Sequence, residues 1–257
     1  MSDTNAQPRI LIVGETWVTH STHIKGFDSF TTSSLGEGYS FLKAALEGGG
    51  FAVDVITNHD APLAFPAEAA GLAGYAAVIL SDIGANTLLL TRDTWTSHRP
   101  TANRVQLIAD YVRRGGGLIM VGGYLTFMGI EGKGAWRGTA VEDVLPVRML
   151  PHDDRCERPE GVAGRSVAPE HEVLAGVDGA WPVLLGYNRV TLADGAELLA
   201  TVGDDPLLAV GHAGAGRTAV FTSDCSPHWC PREFIAWPGY AAMWRNLCRW
   251  VGGRAKG

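Results

Sequence analysis

Charge is scarce in this chain and leans acidic. Asp, Glu, Lys and Arg make up 19% of 257 residues, with 27 acids against 21 bases and a formal net charge of −6. Such a surface holds no electrostatic attraction for a phosphate backbone, so no nucleic-acid partner is expected. No apolar run approaches the roughly 18 residues that a membrane-crossing helix needs, and no membrane partner is expected either. The start, Met1 to Pro8, has no cationic stretch leading into an apolar one, and therefore does not read as a secretory signal. Cysteine is also rare, with only Cys156, Cys225, Cys230 and Cys248. A chain this long builds a core without disulfides, which makes a reducing cytoplasm the simpler location. Internal repeats and heptads are absent. Gly14 is followed by Glu15 and Thr16 without the glycines of a dinucleotide fingerprint, and Gly115–Gly117 lead to no phosphate-binding Lys, Ser or Thr.

What the chain does have is apolar residues (46%) gathered in short blocks separated by glycine. RILIVG at 9–14 reads as a strand buried on both faces, as do 51–57, 75–81 and 118–121. Helical spacing appears at 39–47, 103–114 and 239–251, and further strands at 183–187, 197–202, 207–211 and 218–223. A turn at Gly214 and Gly216 would join the last two. This alternation predicts an α/β fold, a three-layer sandwich around a mostly parallel sheet. One domain over 1–257 is expected. Its loops would be long: residues 15–39 as a functional loop, and an excursion or lid around 123–180. The charged Asp153, Asp154 and Arg155 lie in that excursion, as a solvated cluster or a gate.

In such a sheet, ligands collect beyond the carboxyl ends of the strands. The strand ends would deliver Glu15, Asp82, Tyr124 and Asp224 there. The loop after the first strand adds Trp17, His20 and His23, and the loop after the last strand adds His228 and Trp229. Asn188 offers a weaker polar wall. Tyr124 sits at a GGYLT turn resembling a nucleophile elbow, but an ordinary phenol is a poor nucleophile near neutral pH. It would instead donate a hydrogen bond or a proton, or simply pack. Cys225 and His228 suggest a dyad without an orienting partner, so Cys225 reads as structural. Glu15, His20 and His23, with Asp224 and His228, would suit a divalent metal, against ordinary hydrogen-bonding histidines. No other cofactor is expected.

The segments VGETWVTHSTHIKGFDSF, GGGLIMVGGYLTFMGI, GTAVEDVLPVRM, LLGYN and FTSDCSPHWCP, with a Trp-rich terminal helix, together resemble a family labelled "putative glutamine amidotransferases". It lies in the class I glutamine amidotransferase-like superfamily and is related to ThuA-like proteins. The resemblance runs from Ile10 to Gly252 and implies a flavodoxin-like α/β/α sandwich. Active members of the superfamily release ammonia from glutamine with an elbow Cys and a downstream His–Glu pair. Here Tyr124 occupies the elbow, and Asp224 and His228 stand in place of the pair. The leading expectation is therefore a hydrolase for a small amide or carbohydrate-like substrate. Glu15 or Asp224 would be its base, His20 or His228 the acid–base partner, and Tyr124 the group that polarises the reacting centre. Trp17, His23, Asp82, Asn188 and Trp229 would bind substrate. A non-catalytic small-molecule or carbohydrate sensor is the second expectation, and a structural subunit of a homo-oligomer the third.

Overall fold

A computed structural model describes residues 7–253, so most of the Met1–Pro8 start lies outside the described residues. In chain order the strands and helices open with β1 (Arg9–Gly14), β2 (Thr16–Lys25), β3 (Asp28–Glu37), α1 (Tyr39–Glu47) and β4 (Ala52–Ile56). Next come α2 (Ala61–Ala64), β5 (Ala77–Ser81), α3 (Ala85–Leu89), α4 (Arg92–Trp95), α5 (Arg104–Arg113) and β6 (Gly117–Val121). The second half holds β7 (Val147–Met149), β8 (Arg155–Ser166), β9 (Val183–Asn188), β10 (Val190–Leu192) and β11 (Glu197–Val202). It ends with β12 (Asp205–Ala213), β13 (Gly216–Phe221), α6 (Arg232–Ala236) and α7 (Pro238–Gly252).

Nine strands form one sheet in the order β4-β1-β5-β6-β13-β12-β11-β8-β9. The first five run parallel, and from β13 to β9 every neighbour is antiparallel. The sheet is thus mixed, and its parallel half repeats the strand order of a flavodoxin-like fold. That order turns back at β1, between β4 and β5, which is where such sheets open a crevice.

Alternation along the strands explains the three layers. Ile10 and Ile12 of β1, Ile79 of β5 and Phe221 of β13 face a core shared with α1, α6 and α7. Leu11, Val13, Val78, Leu80 and Val220 face the opposite core, closed by α2, α3 and α5. On α7, Met243, Trp244, Leu247 and Val251 recur on one buried face, and the Trp244 ring meets Phe221 edge-on at 5.4 Å. Burying one such large side chain contributes about 2–3 kcal/mol, so this face alone accounts for the docking of α7.

Two segments depart from expectation. Residues 15–39 are not an open loop. After Glu15, β2 and β3 pair over ten residues each in a separate antiparallel ribbon. Thr, Ser, Val and Phe alternating across Gly26 and Phe27 are a strand pattern, but a polar one, which hydropathy alone reads as loop. Residues 155–166, expected within an excursion, form β8 inside the main sheet. Asp154 is buried, not solvated: its carboxylate accepts from Met128 N–H (2.8 Å), Gly129 N–H (2.9 Å) and Asn188 Nδ2 (2.8 Å). It therefore anchors the glycine-rich loop that follows β6.

Candidate functional site

Glu15, Asp82 and Asp224 follow β1, β5 and β13 at one edge of the sheet, so three carboxylates from distant sequence converge there. Glu15 and Asp82 are not glycines, yet both have left-handed backbones, with φ of 57° and 43°. Each such conformation costs on the order of 1–3 kcal/mol and persists only when its surroundings enforce it. Glu15 N–H donates to the Ser81 carbonyl (3.1 Å), and Gly38 N–H donates to the Glu15 carbonyl (2.9 Å). Asn58 ties the two outliers together: its Oδ1 accepts from Thr16 N–H (2.9 Å) and its Nδ2 donates to the Asp82 carbonyl (2.8 Å). Gly38 has no room for a side chain, since a Cβ would lie 2.5 Å from Glu15 Oε2 and 2.6 Å from Ser226 Oγ.

These groups floor a cleft of about 470 Å³ lined by Glu15, Trp17, Asp82, Tyr124, Leu125, Ile130, Asp224, Ser226, Pro227 and His228. Ser81 Oγ donates to Glu15 Oε1 at 2.5 Å, and Ser226 Oγ lies 3.3 Å from Glu15 Oε2 and 3.2 Å from Asp224 Oδ1. Burial pushes the Glu15 carboxyl well above the usual carboxylate range. The negative charges of Asp224 and Asp82 push it further, and the two serine hydroxyls offset only part of the shift. Asp82 is pushed up to about 6, first by burial and then by Asp224, although its Oδ1 accepts from Leu125 N–H at 2.8 Å.

His228 closes the group. Its Nδ1 lies 3.4 Å from Asp224 Oδ2. Burial opposes a charged imidazole, but the hydrogen bond and charge of Asp224, aided by Glu157 and Asp82, outweigh it and raise His228 above an ordinary histidine. The ring is held on two sides. Tyr124 meets it edge-on at 4.4 Å and Trp229 stacks on it at 5.3 Å. Glu157 in turn fixes both aromatics, accepting from Tyr124 OH (3.2 Å) and Trp229 Nε1 (2.9 Å).

Of the residues expected here, Glu15, Trp17, Asp82, Tyr124, Asp224 and His228 line the cleft. Trp229 and Asn188 are buried beneath it. Trp229 supports the His228 ring, and Asn188 grips the Gly123 peptide through Gly123 N–H (2.9 Å) and the Gly123 carbonyl (3.2 Å). His20 and His23 are corrections. Strand pairing carries both onto the exposed ribbon, where His20 bonds Ser33 (2.7 Å) and His23 stacks on Phe30 at 4.6 Å, away from the cleft lining. The metal cluster built on them is therefore not formed. Among the described residues, the donor set that does assemble is Glu15, Asp224 and Cys225, whose ligand atoms lie within 4.8 Å of one another.

Cys225 is fully buried, 3.7 Å from Glu15 Oε1 and 3.5 Å from Ser81 Oγ. Burial pushes its thiol well up, and the carboxylates around it push in the same direction, which is the reverse of an activated nucleophile. Sequence pattern gives no role to Ser81, Asn58 or Gly38. Ser226 lies inside the DCSPHW run, and Glu157 belongs to the charged cluster that starts at Asp153, read there as solvated or as a gate.

Comparison with known proteins is consistent with this architecture. The model of the family described as "Putative glutamine amidotransferase" matches residues 9–253. Among solved structures, the cytoplasmic protein STM3548 of Salmonella typhimurium is 43% identical, with a TM-score of 0.91 over 94% of this chain and 98% of its own. The cytoplasmic protein STM1381 of Salmonella typhimurium LT2 is also 43% identical, with a TM-score of 0.91 over 95% and 99%. A "putative ThuA-like protein" of Parabacteroides merdae shares the fold, with a TM-score of 0.60 at 13% identity over 98% of this chain and 92% of its own. No curated protein matches.

Proposed function

The chain belongs to the "Putative glutamine amidotransferase" family, and from that premise we propose that its cleft is a hydrolytic site for a small polar substrate, working by acid–base chemistry without a thiol nucleophile. The observation that carries this reading is the convergence of Asp82, Asp224 and His228 over a buried Glu15 in one cleft. A volume of about 470 Å³ suits a small molecule. Trp17 supplies an apolar wall, against which an amide or a sugar-like ring would lie.

The shifts give the two reacting groups complementary states. Above about pH 6, Asp82 is a carboxylate able to take a proton from water. His228, whose proton the Asp224 carboxylate helps to hold, donates it to the leaving group as the bond to the electrophilic carbon breaks. The water oxygen ends on that carbon, and the proton held by Asp82 returns to His228 through solvent. Acid–base catalysis of this kind contributes roughly 10²–10⁴-fold. Burial and the neighbouring carboxylates favour the neutral form of Glu15, which lessens the repulsion an incoming polar group meets at the floor. Tyr124 is a positioning residue here, because its hydroxyl is already engaged by Glu157.

A panel of small amides and glycosides, glutamine included, tests the reading. A substrate should be turned over by the wild type and by C225S, and lost in H228A. Ammonia release from glutamine that disappears in C225S would overturn it in favour of a thiol enzyme. Saturable binding with no turnover of any compound would favour the sensor reading. Work in the cytoplasm is supported by the names of the two Salmonella relatives.

A further inference from the structure

The charge of the cleft is one-sided, and the imbalance bears on what kind of molecule it takes. Glu15, Asp82 and Asp224 all line it, whereas among the described residues no Lys or Arg does. His228 is the one basic group in that lining, and Asp224 engages it at 3.4 Å. Arg155 is close by but committed elsewhere. Asp153 holds its guanidinium at 2.8 Å, and the group lies over the Tyr124 ring at 5.0 Å. Asp82 accepts a neutral N–H from Leu125 and makes no ion pair among the described residues. Even with Glu15 neutral, the carboxyls of Asp82 and Asp224 outnumber the single imidazole. An entering carboxylate or phosphate therefore meets like charge, whereas a cation offsets a carboxyl that burial has stripped of water.

A second feature, independent of the acids, belongs to the same cavity. Trp17 lines the cleft and is 44% exposed, yet its indole is fixed in place. Across the ribbon it stands opposite Gly36, where a Cβ would lie 2.5 Å from its Cε2 and Nε1. The ring thus rests against bare backbone, and a larger residue at Gly36 would displace it. An aromatic pinned in the wall of an acidic cleft is a ready face for an organic cation. Tyr124 is less free to play that part, because Arg155 already covers its ring.

We propose that the substrate of this site carries an ammonium or amidinium group near its scissile bond, and that Trp17 and Asp82 recognise that cation. The inference rests on the hydrolytic reading for the reaction, and on the cleft alone for the binding. A cation in that place also favours the ionised form of Asp82, which is the form that takes a proton from water. An inorganic ion fits less well. Both Glu15 oxygens already accept serine hydroxyls, and Cys225 is fully buried. A cavity of about 470 Å³ is also far larger than one ion.

The test titrates the intact chain with three amides of matched length: γ-aminobutyramide, cationic; pentanamide, neutral; and glutaramate, anionic. Calorimetry reads binding, and ammonia release reads turnover. γ-Aminobutyramide should bind at least about tenfold more tightly than pentanamide, with glutaramate weaker than both. D82N should shrink that preference to about threefold or less. W17L, which keeps an apolar wall and removes the π face, should lower it by about threefold with cooperative unfolding retained. Equal affinity for the three amides, or none for γ-aminobutyramide, overturns the inference. So does a preference unchanged in both D82N and W17L, or displacement of γ-aminobutyramide by equimolar Mg²⁺. Selective binding without ammonia release upholds the recognition and defeats the hydrolytic reading. Ammonia release with the same kcat/KM from pentanamide as from γ-aminobutyramide does the reverse.

Discussion

Glu15 and Trp17 are two residues apart, and between them the chain passes from the most buried carboxylate of the cleft to an exposed ribbon. The cleft gathers polar groups from four distant strand ends into a low-dielectric space. There each charge alters its neighbours' protonation and each atom is held by others. The ribbon places polar and apolar groups alike in water, held only by cross-strand partners. The contrast separates two outcomes at one strand exit: buried polarity tunes chemistry, and an exposed, self-paired ribbon leaves its side chains to water.

The sharpest way to break the comparison is inside the cleft. D82N and H228A should each lower turnover of the substrate found in the amide and glycoside panel by roughly 10²–10⁴-fold, while the folded state survives. If D82N retains full activity, Asp82 belongs with the passive lining. The pH–rate profile of the wild type should be bell-shaped. Its acid limb would fall near 6, where Asp82 protonates, and its alkaline limb above the ordinary histidine range.

Stability should show the same asymmetry. G38A forces a methyl group to within 2.5 Å of Glu15 Oε2. Denaturant unfolding should register a loss of about 1–3 kcal/mol, the usual cost of overpacking a close-packed site. The buried acids add a pH signature. A carboxyl whose folded pKa is raised holds its proton more tightly when folded. Stability is therefore full below the unfolded value and declines as pH rises through the folded one. For Asp82 that window runs from 3.8 to about 6. D82N should remove roughly 1–3 kcal/mol of that decline, and E15Q should flatten it further above pH 4.5, both read as melting temperature against pH.

On the ribbon, by contrast, F27S and F30S should change the unfolding free energy of the monomer by no more than about 0.5 kcal/mol. Phe27 lies fully in solvent at the turn, and Phe30 is half exposed. A loss of several kcal/mol in a verified monomer would show that the ribbon packs on its own body.

The layered fold was legible because it rests on short-range regularities. Nearly continuous apolar runs such as RILIVG can be satisfied only when both faces are covered, and helical spacing at 239–251 marks the face that covers one of them. The candidate site was partly legible for the same reason. Once β1, β5, β6 and β13 are recognised, topology carries Glu15, Asp82, Tyr124 and Asp224 to one edge. His228 came with its DCSPHW run. His20 and His23 misled because a polar alternating segment beside a strand end looks like a loop folding over the site, and hydropathy is silent about where a self-paired ribbon points. Asp154 misled for the opposite reason, since a charged cluster in sequence gives no sign that one member is buried under three donors.

The sequence alone determined the sandwich, the strand-end placement of the acids and the absence of a thiol at the elbow, all consequences of local pattern and residue identity. Tertiary structure decided which acids are buried against one another, that Cys225 is enclosed beside Glu15, and that His20 and His23 stand away from the cleft. Those outcomes depend on distances between residues up to 211 positions apart, such as Glu15 and Ser226. Burial and electrostatic coupling act through space, and local sequence pattern does not encode them.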